Sequence, residues 1–257
     1  MFVEKTFLMK SLQRKRKVTI FVPDDYQTSG KQYPVLYIND GQNAFFDETS
    51  YIGVSWGFYE YVKDQKLDII MVAIPCNFKD NKRVDEYGPW IVNKQITKME
   101  TGKTKPMGGE GDDYIQCIIQ QIKPYIDTHF PTNKEDTGIV GSSMGGIISL
   151  YATLKYPTIF KKCAALSSAV WFYPEEFTKL IKDTDFSTIE CIYMDLGGNE
   201  GNGDEEVSRM YLESNDYISD LLYKRTDRLY FEYFPEAIHS EVEWKKRVPI
   251  FMNAFYK

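Results

Sequence analysis

Residues 137–154 read Thr137-Gly-Ile-Val-Gly-Ser-Ser-Met-Gly-Gly-Ile-Ile-Ser-Leu-Tyr-Ala-Thr-Leu154, and the fold follows from the change of character midway. An apolar run ends at Val140, glycines and serines fill 141–146, and an apolar helical pattern begins at Ile147, so the stretch predicts strand, sharp turn, helix. The Gly141-Ser-Ser-Met-Gly145 pattern puts Ser143 at the tip of that turn on strained backbone. Glycines two residues before and after it are expected because side chains there would collide with the neighbouring helix and strand. The reading is a nucleophile elbow with Ser143 as nucleophile. The same pattern also occurs as a glycine-rich turn whose serine only caps the next helix, so the rest of the chain has to decide.

The 257 residues, 43 % of them hydrophobic, suffice to bury a large core, and one domain spanning 1–257 is expected. A net charge of −6 gives no broad field to attract phosphate backbones, and no basic stripe with interleaved aromatics occurs, so no nucleic-acid partner is expected. The one dense basic run, Arg14-Lys-Arg-Lys17, leads into the alternating Val18-Thr-Ile-Phe-Val22 and reads as the solvated start of an early strand. Met1-Phe-Val-Glu-Lys5 lacks a basic segment followed by an apolar one, and no apolar run reaches bilayer length. A cytoplasmic protein without a membrane partner is expected. Cys76, Cys117, Cys163 and Cys191 are widely spaced and form no C-x-x-C pair, so they are expected to be buried free thiols. Nothing in the pattern speaks for or against a homo-oligomer.

Further strand-like runs occur at 18–22, 33–38, 68–74, 160–166, 191–194 and 229–234, with helical patterns at 112–126, 174–182, 208–223 and around Trp244, Val248, Phe251 and Phe255. Asp112 or Asp113 is expected to cap the first of these helices, and Pro249 to bend the last. The run 68–74 is apolar nearly throughout, as in a strand covered on both faces. Alternation of strands and helices over the whole length predicts an α/β fold, a predominantly parallel central sheet with helices on both faces. Residues 77–112 show no clear period, and a segment that long is expected to be a functional loop or lid. Asp40-Gly-Gln-Asn43 forms a polar loop at the carboxyl end of a strand, where open α/β sheets hold their ligands.

A serine hydroxyl is a weak nucleophile unless a base takes its proton and a third group orients that base. The elbow therefore calls for a histidine and a carboxylate, which in α/β-hydrolases follow in the order Ser, acid, His. Of the two histidines, His129 precedes Ser143 and is expected to be structural, whereas His239 follows the last strand and is the candidate base. The loop after the preceding strand offers Asp195, Glu200 and Asp204. Glu200 is preferred, because a long side chain in a glycine-flanked loop can reach back to His239; Asp195 is the runner-up. The oxyanion needs two N–H donors, one after the nucleophile and one after an early strand, which designates Met144 and Gln42. Asp40, Tyr87, Trp90 and Trp171 are candidates for substrate contact. In a chain that is 15 % aromatic, however, these aromatics, like Phe45, Phe46 and Trp56, read first as core or lid packing.

Four segments carry a family resemblance: Asp40-Gly-Gln-Asn43, Glu86-Tyr-Gly-Pro89, Gly141-Ser-Ser-Met-Gly-Gly146 and His239-Ser-Glu-Val-Glu-Trp244. In order and spacing the chain from about Lys17 onward resembles the Putative esterase family of the α/β-hydrolase fold, which includes esterase D, enterochelin-esterase-like and feruloyl-esterase-like enzymes. The resemblance implies a serine carboxylesterase acting on a small-molecule ester without metal or organic cofactor. It implies a triad of Ser143, a carboxylate in the 197–200 loop and His239, and the family often carries Asp or Glu at the position of Glu200. Acyltransferases and S-formylglutathione-hydrolase-like thioesterases share the fold and triad, and a catalytically silent binding domain is the reading from another class. Nothing in the sequence selects the acyl group.

Overall fold

The computed structural model describes residues 1–78, 82–101 and 105–257, with residues 99–101 described by their backbone. The strands are β1 (Phe2–Met9), β2 (Arg14–Phe21), β3 (Tyr33–Asn39), β4 (Ile70–Ile74), β5 (Thr132–Ser142), β6 (Lys162–Leu166), β7 (Cys191–Asn199) and β8 (Leu229–Ile238). They form one sheet in the order β1-β2-β4-β3-β5-β6-β7-β8. β1–β2 and β2–β4 pair antiparallel, and every pairing from β4 to β8 is parallel. β4 and β6 are buried at every position, as strands covered on both faces must be.

The period-two alternation of the strands sorts their side chains into two cores. Val35, Tyr37, Val72, Ile139, Ala165 and Met194 pack on one face with the helices α4 (Gly111–Cys117), α5 (Lys123–His129), α6 (Met144–Lys155), α7 (Pro174–Asp183) and α8 (Glu205–Tyr223). Leu36, Ile38, Met71, Val140, Ala164 and Tyr193 face α1 (Phe58–Gln65) and α9 (Glu241–Tyr256), meeting Phe58, Val62, Trp244, Val248, Phe251 and Phe255. The central strands end level, with Ser142 opposite Leu166 and Leu166 opposite Asp195. Their carboxyl edge collects the loops that follow them. No helix among the described residues is long and apolar enough to cross a membrane.

The structure departs from the sequence reading in four places. β1 is an edge strand that the sequence pattern does not announce; Phe7 and Met9 are buried, whereas Glu4, Lys5 and Thr6 are exposed. Within 77–112 lie two helices, α2 (Lys82–Tyr87) and α3 (Lys94–Thr101), and a bridge between Ile91 and Gly108; residues 79–81 and 102–104 lie outside the described residues. The basic run is only partly solvated: Arg16 is buried and pairs with the buried Glu86, which Arg14 also contacts. Neither Asp112 nor Asp113 caps α4, which begins at Gly111 without a side-chain cap; Asp112 instead accepts the hydroxyls of Tyr151 and Tyr156.

Candidate active site

β5 delivers Ser143 to the carboxyl edge with φ 57° and ψ −120°, in backbone that an L-residue occupies only when its surroundings hold it there. Two constraints hold it. Ser143 N–H donates to Leu166 O at 2.8 Å, and α6 starts at the next residue. The turn is so tight that a Cβ at Gly141 would lie 2.4 Å from Gly145 O, and one at Gly145 would lie 2.8 Å from Asp40 Oδ2. Ser143 opens onto a cleft of about 310 Å³ shared with Asp40, Tyr51, Arg83, His239 and Trp244.

His239 directly follows β8 and reaches the same cleft. Its backbone N–H donates to Asn202 Oδ1 at 3.1 Å, and its Nδ1 lies 2.6 Å from Glu200 Oε2. A carboxylate only accepts, so Nδ1 carries the proton and Nε2 keeps a free lone pair. Trp244 meets the imidazole edge-on at 4.9 Å, and Tyr211 approaches it at 5.3 Å.

Glu200 is buried just beyond β7. Its Oε1 accepts from Ser167 Oγ at 2.7 Å and from Gly197 N–H, and a Cβ at Gly197 would meet both Ala237 O and Glu200 Oε1. The glycine thus lets the carboxylate fold back over the strand end. Burial alone would raise its pKa, but the bonds from His239, Ser167 and Gly197 outweigh it and hold the carboxyl below the ordinary range. Asp195 has other partners: its Oδ1 accepts from Ser167 N–H at 3.0 Å and from Arg247 Nη1 at 2.7 Å. Burial pushes its carboxyl up to about 6 despite Arg247. Asp204 caps α8. His129 is exposed, stacked on Tyr125 with Nδ1 at that residue's carbonyl.

Gln42 sits in a one-turn helix, Gly41–Asn43, at the exit of β3. A Cβ at Gly41 would fall 2.2 Å from Ile74 N, so this turn lies flush on the end of β4. Met144 is the first residue of α6, where backbone amides have no carbonyl partner within the helix. Of the proposed substrate contacts, Asp40 borders the cleft. Tyr87 is fully buried and receives Asp40 N–H on its hydroxyl at 2.8 Å. Trp90 packs among Tyr151, Tyr173 and Phe177, and Trp171 against Phe172 and Tyr211. None of these three aromatics lines the cleft, and Phe45 and Trp56 are buried in the core. The cleft's aromatic wall comes instead from Tyr51 and Phe78, stacked at 5.4 Å and 11°. Sequence reasoning missed them, and also Arg83, Ser167 and Arg247; only Ser167 carried a signal, as a polar residue at a strand exit.

This strand order, with a serine on a strand-to-helix elbow and a histidine after the last strand, defines the α/β-hydrolase fold. Comparison with known proteins agrees: the profile described as Putative esterase matches residues 9–250, and the chain belongs to that family. It is a carboxylic ester hydrolase. It is 25 % identical over 245 residues to the uncharacterized protein YbbA of Bacillus subtilis (strain 168), covering 93 % of this chain and 90 % of that one. It is 25 % identical over 158 residues to the ferri-bacillibactin esterase BesA of the same organism, covering 60 % of this chain and 52 % of that one. The structure of an IroE-like serine hydrolase from Shewanella oneidensis aligns with a TM-score of 0.77 at 21 % identity, covering 99 % of this chain and 80 % of that one, a likeness of fold.

Proposed function

We propose that the chain is a serine carboxylesterase working through an acyl-enzyme. One observation carries the reading: His239, bonded through Nδ1 to Glu200, lines the same cleft as Ser143 on its elbow. Ser143 Oγ attacks the ester carbonyl carbon while His239 Nε2 takes its proton, and Glu200 steadies the imidazolium. The oxyanion is met by the N–H groups of Gln42 and Met144, each worth about 3 kcal/mol of transition-state stabilisation. Collapse of the tetrahedral adduct breaks the bond to the alcohol, which leaves with the proton from His239. Water, deprotonated by the same imidazole, then releases the acid and restores the serine.

The substrate class is an ester of a small molecule. BesA is named for ferri-bacillibactin; here the Tyr51–Phe78 stack offers a flat wall to an aromatic acyl or alcohol group. The test combines a fluorophosphonate label with hydrolysis of p-nitrophenyl butyrate and aryl esters. Mass spectrometry is expected to find the label on Ser143, with hydrolysis abolished in the labelled protein. Label on another residue, or hydrolysis that survives full labelling of Ser143, overturns the proposal.

A further inference from the structure

The guanidinium of Arg83 on α2 reaches two loops at once. Its Nε and Nη2 each donate to Asp40 at 2.8 Å, one to each carboxylate oxygen, and Nη2 also donates to the carbonyl of Ser142 at 3.2 Å. Asp40 stands two residues before Gln42 and Ser142 two residues before Met144. A single planar fork therefore ties together the two backbone segments that end in the oxyanion donors proposed above. Both segments contain a non-glycine residue at positive φ, Asp40 at 51° and Ser143 at 57°. Such backbone persists only where contacts over-determine it. From the same helix the Tyr87 hydroxyl takes Asp40 N–H, and the Arg83 guanidinium lies 5.4 Å from the Tyr87 ring centre.

Charge gives a second reason. Asp40 is buried, and its Oδ2 lies against the first turn of α6, where a Cβ on Gly145 would touch it. An unpaired carboxylate there would oppose the negative charge that builds up on the substrate oxygen at the start of the same helix. The bidentate pair with Arg83 cancels it.

We propose that Arg83 is a positioning residue: it fixes the spacing of the two oxyanion donors and neutralises Asp40 beside them. The inference rests on the acyl-enzyme reading. Its test measures kcat, KM and the inhibition constant of butylboronic acid, whose serine adduct carries a tetrahedral anionic oxygen, for Arg83→Met, Arg83→Lys, Asp40→Asn and the double variant Arg83→Met/Asp40→Asn. Arg83→Met is expected to lower kcat about 10²-fold, the usual effect of a small misplacement or of a lost oxyanion donor. KM should stay within about threefold, and the boronate should weaken in parallel with kcat/KM. The double variant should recover about tenfold of the lost kcat, because the stranded charge is gone. Arg83→Lys keeps the charge but not the fork and should show a smaller kcat loss at unchanged KM; it carries the test if Arg83→Met does not fold. A raised KM at constant kcat would make Arg83 a substrate contact. A lowered melting temperature with wild-type kcat would make it merely structural. Strictly multiplicative effects of the Arg83 and Asp40 changes would remove the clamp. Each of these three outcomes overturns the proposal. Failure of the underlying reading shows separately, as absence of fluorophosphonate label on Ser143 in the unaltered protein.

Discussion

Glu200→Gln exchanges one carboxylate oxygen for an NH₂ group, and the contacts around it dictate where that group goes. The Oε1 position receives Ser167 Oγ–H at 2.7 Å and Gly197 N–H. Ser167 cannot reverse its role, because both of its lone pairs are engaged, by Trp244 Nε1 at 3.1 Å and Arg247 Nη1 at 2.8 Å. The amide oxygen must therefore occupy the Oε1 place, and the NH₂ must face His239 Nδ1. That selects the tautomer with its proton on Nε2, so an N–H points into the cleft where Ser143 needs a base. A wrong-tautomer substitution of this kind costs about 10⁴-fold in kcat, equivalent to about 5 kcal/mol of barrier. KM should change little, because the loss falls on the transition state. Steady-state kinetics with p-nitrophenyl butyrate, beside a melting curve showing the variant folded, make the measurement. A folded Glu200→Gln protein within about tenfold of the unaltered kcat would refute the assignment of the acid and the tautomer argument together.

Ser143→Ala should abolish hydrolysis with the melting temperature unchanged, while Ser142→Ala should keep substantial activity; fluorophosphonate found on Ser142 would show the elbow to be out of register. His239→Ala should abolish hydrolysis, because Ser143 then has no base to take its proton; a folded His239→Ala variant that keeps its hydrolysis would sink this assignment. Glu200, held below the ordinary carboxyl range, contributes stability that is present above that range and lost as pH falls through its lowered value, so denaturant midpoints of Glu200→Gln and the unaltered protein should converge in acid. Arg247→Met strands the fully buried Asp195 carboxylate and should cost about 3–5 kcal/mol in urea unfolding at pH 7. Asp195 already sits at about 6 in the folded chain, above its unfolded value, so its ionisation opposes folding and stability returns as pH falls through that value. The deficit of Arg247→Met should therefore shrink between pH 7 and pH 5, and an equal deficit at both would count against the ion-pair account.

The parts legible in the sequence are those whose physics is local. Parallel strands buried on both faces must be apolar runs, so β3, β4, β6 and β7 stood out, and the elbow declared itself because Gly141 answers a collision with Gly145 inside one five-residue turn. β1 escaped because three consecutive polar residues, Glu4, Lys5 and Thr6, interrupt its alternation, and α2 because six residues are too few to show a period. Within the candidate site, the approach of Glu200 to His239 was legible because Gly197, three residues away, shapes it. Arg83 and Arg247 could not, because their partners Asp40 and Asp195 stand 43 and 52 residues away in the chain. A lone arginine on an amphipathic helix looks like solvated surface until the fold supplies its carboxylate.

The two acids at the end of β7 show how burial divides one small region into separate tasks. Asp195 shares its face of the strand with Tyr193, which packs toward α9, and so meets the one arginine that α9 sends inward. Glu200, past the end of β7, is free to turn toward His239. The tasks are still joined, since Arg247 and the Trp244 indole both donate to the Ser167 hydroxyl that in turn donates to Glu200. A hydroxyl that accepts from a cation becomes a stronger donor, so the positive charge paired with Asp195 also tightens the hold on Glu200 without touching it. Trp244 closes the loop from the other side, its ring against His239 and its N–H on Ser167. The helix that anchors the sheet through Arg247 is thus the same element that braces both acid and base of the candidate site, and a shift of α9 would reach Glu200 and His239 together.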